Sequence, residues 1–211
     1  MITTTAAKTR SSMLFIYPSE PLEIDFGKLL QPMNDDDFFY FCQRHRDLRI
    51  EMDKFGEITI MSPTGSETGG INFDLIADFA IWVRADGTGK GFDSSTGFIL
   101  PNGAKRSPDL SWIKLEKWLA VPADLRKKFA PICPDFVVEL RSESDTLKNL
   151  QTKMEEYIEN GAALGWLIDG QDKKVYVYQQ NTTVQELENP SEVSGEPLLL
   201  GFVLQMKNFF G

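Results

Sequence analysis

Pro134-Asp135-Phe136-Val137-Val138-Glu139-Leu140-Arg141-Ser142, then a helical stretch over 146–160, then Leu164-Gly165-Trp166-Leu167-Ile168-Asp169: this is the part of the sequence that decides the fold. It reads strand, helix, strand, with Gly161 closing the helix. Phe136-Val137-Val138 and Trp166-Leu167-Ile168 are too continuously apolar for strands with one wet face, so both predict central strands of a covered sheet. Glu139 sits inside the first strand between Val138 and Leu140. A carboxylate buried there is costly unless it is paired or binds a metal. The other reading is a strand end where Glu139 reaches solvent, and position alone leaves the two open.

Side chains on a strand alternate faces, so Asp135, Val137, Glu139 and Arg141 share one face. Upstream, Arg106-Ser107-Pro108-Asp109-Leu110-Ser111-Trp112-Ile113 predicts another strand, with Asp109 at its start and Asp109, Ser111 and Ile113 on one face. If the two strands are neighbours, Asp109 and Glu139 lie side by side at one edge of the sheet. Two acids that close repel each other, and a hard divalent cation resolves the conflict. Mg²⁺ suits the set, since it takes one or two carboxylates and keeps several waters.

Phosphodiester hydrolysis also calls for a cation to steer the attacking water. Arg141 points the same way as Glu139, but a guanidinium cannot act as a base. In the helix over 146–160, Leu147, Leu150, Met154, Tyr157 and Ile158 form the apolar stripe, and Lys153 falls on its shoulder next to Tyr157. From there Lys153 either reaches back over the preceding strand or snorkels across apolar surface.

Residues 1–12 predict a frayed tail. A short apolar run at 13–17 suits a strand, and 18–32 reads as loop. Asn34 suits an N-cap, with Asp35, Asp36 and Asp37 in a first turn where the helix dipole favours acids. Phe38, Phe39, Phe41 and Cys42 give that helix an apolar face, and it should end near Arg46. Segments 48–52 and 57–61 predict a hairpin around Asp53-Lys54-Phe55-Gly56. Ser66 suits the cap of a helix reaching about Arg84, with Leu75, Phe79 and Trp82 on its buried side. Gly69-Gly70 weaken its start by about 1 kcal/mol each, which fits a close approach or a loose first turn. Segments 89–93 and 96–100 predict a strand pair around Ser94-Ser95. Short helical pieces follow at 114–120 and 123–129. Beyond Asp169 come strands at 173–178, 183–187 and 196–199, then a short helical segment at 204–210.

The 211 residues suit one domain or one domain with appendages, and 42% hydrophobic content is enough for a real core. The net charge of −9 makes the chain a poor general binder of nucleic acid, though it leaves room for a local basic cleft or a metal-dependent site. Cys42 and Cys133 match no metal or disulfide spacing and suit reduced thiols in a cytoplasmic protein. No secretory signal and no run of transmembrane length is present. The single histidine, His45, lies in a polar run and reads as a surface residue; it argues against zinc-hydrolase and Ser-His-Asp chemistry.

Several runs together resemble a known family: Ser107-Pro108-Asp109-Leu110-Ser111-Trp112, the Pro134–Ser142 stretch, Lys153-Met154 with Tyr157, Gly161 and Leu164–Asp169. Met61-Ser62-Pro63-Thr64-Gly65-Ser66-Glu67 adds to it, and the resemblance covers roughly Asn34 to the C-terminus. The family is the large bacterial group of restriction-endonuclease-like proteins first described as a domain of unknown function and similar to the PD-(D/E)XK nucleases. The resemblance implies an α/β (α+β) fold: a restriction-endonuclease-like mixed sheet flanked by helices, with an extra N-terminal helix and strands. Residues 1–33 would form a tail and extension, and residues 34–211 the nuclease-like domain.

It implies Asp109 and Glu139 as metal ligands, with the Leu140 carbonyl as a further one. Glu67 matches an acid that some members carry on the first core helix. Arg141 stands where Glu-x-Lys would put the lysine, which here moves to Lys153; Arg141 is then a phosphate-binding residue. The second Pro-Asp pair, Pro134-Asp135, shares a strand with Glu139 and is too near to supply the first acid. The implied activity is Mg²⁺-dependent (or Mn²⁺-dependent) hydrolysis of DNA phosphodiester bonds, with a homodimer serving the two strands. The alternative is a catalytically silent nucleic-acid or protein-binding module on the same fold.

Overall fold

The structure, a computed structural model, describes residues 33–46 and 48–210, and the backbone of a strand at Leu22–Ile24. The expected tail at 1–12 and strand at 13–17 lie outside the described residues. Within the stretch read as loop, Leu22–Ile24 is a strand, because it finds a hairpin edge to pair with.

The elements run β1 (Leu22–Ile24), α1 (Asp35–Arg44), β2 (Arg49–Met52), β3 (Ile58–Met61), α2 (Ser66–Asp86), β4 (Gly89–Asp93), β5 (Phe98–Ile99) and β6 (Lys105–Arg106). There follow β7 (Leu110–Lys114), α3 (Leu115–Ala120), a 3₁₀ turn at Leu125–Lys127, β8 (Phe136–Leu140), α4 (Leu147–Glu159) and β9 (Leu164–Asp169). The chain ends with β10 (Lys174–Gln179), β11 (Gln185–Glu188), β12 (Glu192–Ser194), β13 (Val203–Gln205) and a 3₁₀ turn at Met206–Asn208.

One sheet is ordered β11-β10-β9-β8-β7-β4. Its centre is the strand–helix–strand unit: β8 and β9 are parallel and joined by α4, and every residue of both strands is buried. The continuous apolar runs follow from that double cover. Phe136, Val138 and Leu140 pack on one side with Leu75 and Phe79 of α2. Val137 packs on the other with Leu150, Met154 and Tyr157 of α4. Thr146 caps α4 by accepting a hydrogen bond from the Asn149 amide at 3.3 Å. A Cβ on Gly165 would come within 2.5 Å of Met154 Cε, so the missing side chain makes room for the Met154 tip between α4 and β9. Because side chains alternate, Glu139 shares the α4 side with Val137.

A second sheet is ordered β1-β3-β2-β6-β5. Its core is Phe38 of α1 against Ile50, Met52 and Ile58, the apolar half of the β2–β3 alternation. Asn34 caps α1 by accepting from the Asp37 amide at 2.9 Å. The other half of β2, Arg49 and Glu51, faces the site.

Four sequence expectations are corrected. Segments 89–93 and 96–100 do not pair with each other: β4 pairs with β7 and β5 with β6, in different sheets. Gly89 lies against the Trp112 indole, where a Cβ would come within 2.2 Å of Trp112 Cε2, and this close contact locks β4 onto β7. Residues 106–113 do not form one strand. Pro108 has no N–H for a ladder, and the Ser107 amide donates to Glu51 Oε1 at 2.9 Å, so the chain leaves one sheet at Arg106 and enters the other at Leu110. The expected strand at 196–199 is the turn between β12 and β13, where Leu199 is buried and its amide donates back to the Gly195 carbonyl at 2.9 Å. The cap of α2 is Gly65, with Ser66 the first helical residue; nothing crowds Gly70, which fits a loose first turn rather than a close approach.

Candidate active site

The site lies where the two sheets meet. The β7–β8 register pairs Leu110 with Val138, which sets Asp109 and Glu139 opposite each other one step further along. Asp109 accepts the Leu140 amide on Oδ2 at 2.8 Å and Arg49 Nη1 on Oδ1 at 2.8 Å. Glu139, 3% exposed, has its Oε1 2.8 Å from Lys153 Nζ and accepts the Tyr157 hydroxyl at 3.0 Å. Lys153 reaches over β8 from the shoulder of α4, where Leu150, Met154 and Tyr157 hold the helix down.

The same ammonium lies 2.8 Å from Oε1 of Glu51 on β2. Glu51, also 3% exposed, has its Oε2 3.3 Å from Arg106 Nη1. Arg106 in turn donates through Nε to Glu156 of α4 at 2.6 Å. Acids and bases therefore alternate: Glu139, Lys153, Glu51, Arg106, Glu156. Burying any one of these charges alone would be prohibitive, and the alternation makes the set tolerable.

The shared lysine divides the two acids it touches. Burial pushes the Glu139 carboxyl up, Lys153 opposes this, and the nearby Asp109 and Glu51 add to it, so it rises to about 7. Burial acts on Glu51 too, but Lys153, Arg106 and Arg49 outweigh it and hold that carboxyl down at about 2. Burial would lower the Lys153 ammonium, but Glu139 and Glu51 prevail and hold it above its ordinary value, so Lys153 is charged.

Arg49, Arg106, Asp109, Glu139 and Lys153 border a cavity of about 950 Å³. Its lining carries five basic side chains (Arg46, Arg49, Lys105, Arg106, Lys153) against three acidic ones (Asp109, Glu139, Asp145). The chain is acidic overall and locally basic here, a charge balance suited to a polyanion.

Asp109 and Glu139 fit a hard divalent cation. Both present carboxylate oxygens at the same cavity, and burial, the largest cause, raises the Glu139 carboxyl, a cost to its charged form that a bound cation would offset. Among the described residues no group of three or more His, Cys, Asp or Glu is placed to hold a metal. The donor set is thus a carboxylate pair, which is what Mg²⁺ commonly uses.

Of the residues singled out in the sequence, Asp109, Glu139, Leu140 and Lys153 come together at this cavity. Glu67 is exposed in the first turn of α2, where Thr68 and Asn72 border the cavity instead. Arg141 turns away to Asp169 at 2.6 Å and Asp172 at 3.1 Å. Asp135 sits at the opposite end of β8, accepting the Lys114 amide at 2.9 Å and Lys117 Nζ at 3.0 Å; that Pro-Asp pair is structural. Glu51, Arg49 and Arg106 were missed. No local signal marks Glu51: between Ile50 and Met52 it reads as the polar half of an alternating strand, unlike Glu139 in its continuous apolar run.

A family model described as "Uma2: Putative restriction endonuclease" matches residues 35–207. No curated protein matches the chain. Among solved structures, one described as "a putative nuclease belonging to DUF820" from Anabaena variabilis is similar with a TM-score of 0.64 at 19% identity, over 76% of this chain and 89% of that chain. At that identity the likeness is one of fold.

Proposed function

The chain belongs to the Uma2 family, and from that premise we propose that residues 34–211 form a Mg²⁺-dependent (or Mn²⁺-dependent) endonuclease that hydrolyses DNA phosphodiester bonds. The observation that carries this is Asp109 opposite Glu139 across the β7–β8 ladder, with Lys153 Nζ 2.8 Å from Glu139. Asp109, Glu139 and the Leu140 carbonyl would hold the ion. Bound there, it supplies Lewis-acid stabilisation of charge on the phosphoryl oxygens and a lowered water pKa.

The protein's own groups do the rest. Lys153, held charged between two acids, orients the attacking water and places a positive charge near the transferring group. Glu51 fixes the lysine's direction. Tyr157 holds Glu139 in one rotamer by donating to its Oε1 at 3.0 Å. The basic lining draws the phosphate backbone into the cavity. Glu67 and Arg141, outside this arrangement, take no part in it. Duplex cleavage requires two such sites, so the reading includes a homodimer. The free thiols Cys42 and Cys133 accord with the reducing cytoplasm.

One observation favours the silent binding module: protein cations already hold one oxygen each of Asp109 and Glu139. The deciding experiment is nicking of supercoiled plasmid in Mg²⁺ and then Mn²⁺. Wild type should nick, and Glu139→Ala should be at least 10²-fold slower. A wild type inert on every DNA form tried, or a Glu139→Ala that nicks normally, would leave the binding module as the better account.

A further inference from the structure

Arg49 is more than one cation of the basic lining: it holds the most exposed ion pair of the site. It stands two residues before Glu51 on the same face of β2, and its side chain is 32% exposed to the cavity. Nη1 lies 2.8 Å from Asp109 Oδ1, and Nη2 donates to the Ser107 carbonyl. Nε is buried without a partner. The other oxygen of Asp109 is taken by the Leu140 amide at 2.8 Å. Both oxygens of one proposed ligand are thus engaged by protein donors, and Asp109, Glu139 and Glu51 all act on the guanidinium.

We propose that Arg49 is a resident counter-cation: its guanidinium on Asp109 Oδ1 competes with a divalent ion for that carboxylate, and it must withdraw for the ion to bind. The inference rests on the nuclease reading. A divalent ion and the guanidinium on the same carboxylate would set two cations a few ångström apart, with a single negative charge to satisfy both. The fork geometry allows the withdrawal. Arginine lies on the open side of the site, whereas Lys153 is enclosed between two acids with a side chain 11% exposed. Arg49 therefore gives way and Lys153 stays. Metal affinity is set against the Arg49–Asp109 ion pair, which is the partner Asp109 would have to give up.

The test is calorimetric titration of the full chain with Mn²⁺, without DNA, for wild type, Arg49→Met, Arg49→Lys and Asp109→Asn. Arg49→Met should bind about tenfold more tightly than wild type, the scale of one part-buried ion pair. Arg49→Lys keeps the charge but loses the fork, and should fall between the two; it serves as the readout if Arg49→Met folds poorly. Asp109→Asn should abolish the binding. Mn²⁺ binding that needs Asp109 but is no tighter in either Arg49 variant overturns the counter-cation role and leaves the nuclease reading standing. No Asp109-dependent binding in any variant overturns both.

Discussion

Lys153 and Glu51, 102 residues apart in the chain, meet at 2.8 Å between Nζ and Oε1. The contact ties α4 to β2 and aims the lysine's remaining hydrogens at Glu139. Glu51 is a positioning residue in this arrangement. Glu51→Gln keeps an acceptor for the Ser107 amide but removes the charge. It should slow plasmid nicking by about 10–100-fold, the scale for a residue that orients a site group, and the loss should exceed any fall in melting temperature. A lowered melting temperature with normal nicking by the folded fraction would make Glu51 structural only.

Lys153→Ala removes the shared cation from two acids that are each 3% exposed. Nicking should fall by about 10²–10⁴-fold. Stability at pH 7 should fall by about 3–5 kcal/mol, as when one partner of a buried ion pair is deleted. The stability loss should shrink at pH 5, where Glu139 is already protonated in the native state and no longer needs the ammonium to balance its charge. An unchanged urea midpoint at pH 7 would mean that the ammonium does not sit between the acids.

The raised Glu139 carboxyl makes stability depend on pH in a defined direction. Its ordinary value is 4.5 and its folded value about 7, so between them the native state holds a proton that the unfolded chain has lost. That contribution is complete below pH 4.5 and disappears as pH rises through 7. Glu51, held down at about 2, acts oppositely, its contribution being lost as pH falls below 4.5. Metal-free wild type should therefore lose on the order of 2–3 kcal/mol between pH 5 and pH 8. Glu139→Gln should lose much less. Equal slopes in chemical denaturation of the two proteins would contradict the assignment.

Arg141 pairs with Asp169, whose side chain is fully buried. Arg141→Ala leaves that carboxylate short of its partner, so it should lower the melting temperature while the folded protein nicks at the wild-type rate. Lost nicking with an unchanged melting temperature would return Arg141 to the phosphate.

The parts of the fold that could be read in the sequence are those whose signal is local. Phe136-Val137-Val138 and Trp166-Leu167-Ile168 are apolar on both faces because the sheet is covered on both sides, and the helix between them shows its stripe and its cap. Lys153 on the shoulder of that stripe, and Glu139 on the same face as Val137, follow from the same periodicities; Asp109 beside Glu139 needs the two strands to be neighbours, which periodicity leaves open and the β7–β8 pairing supplies. The rest depends on distant partners. β4 turns to β7 rather than to nearby β5, and the contacts that favour this, such as Gly89 against Trp112, lie far off in the chain. Arg49 and Glu51 look like the wet face of an ordinary hairpin until Ser107, Asp109 and Lys153 arrive from 56 to 102 residues away. Pro108 signals a break, but not that the chain changes sheets there.

The central claim is that one divalent cation sits between Asp109 and Glu139. Diffraction from crystals grown with Mn²⁺, recorded at the manganese absorption edge, tests it directly. A single anomalous peak bridging the two carboxylates, with Arg49 withdrawn from Asp109 Oδ1 and Lys153 still on Glu139, is the predicted result. Arg49 still seated on Asp109 at saturating Mn²⁺, with no peak between the carboxylates or a peak elsewhere, would contradict it.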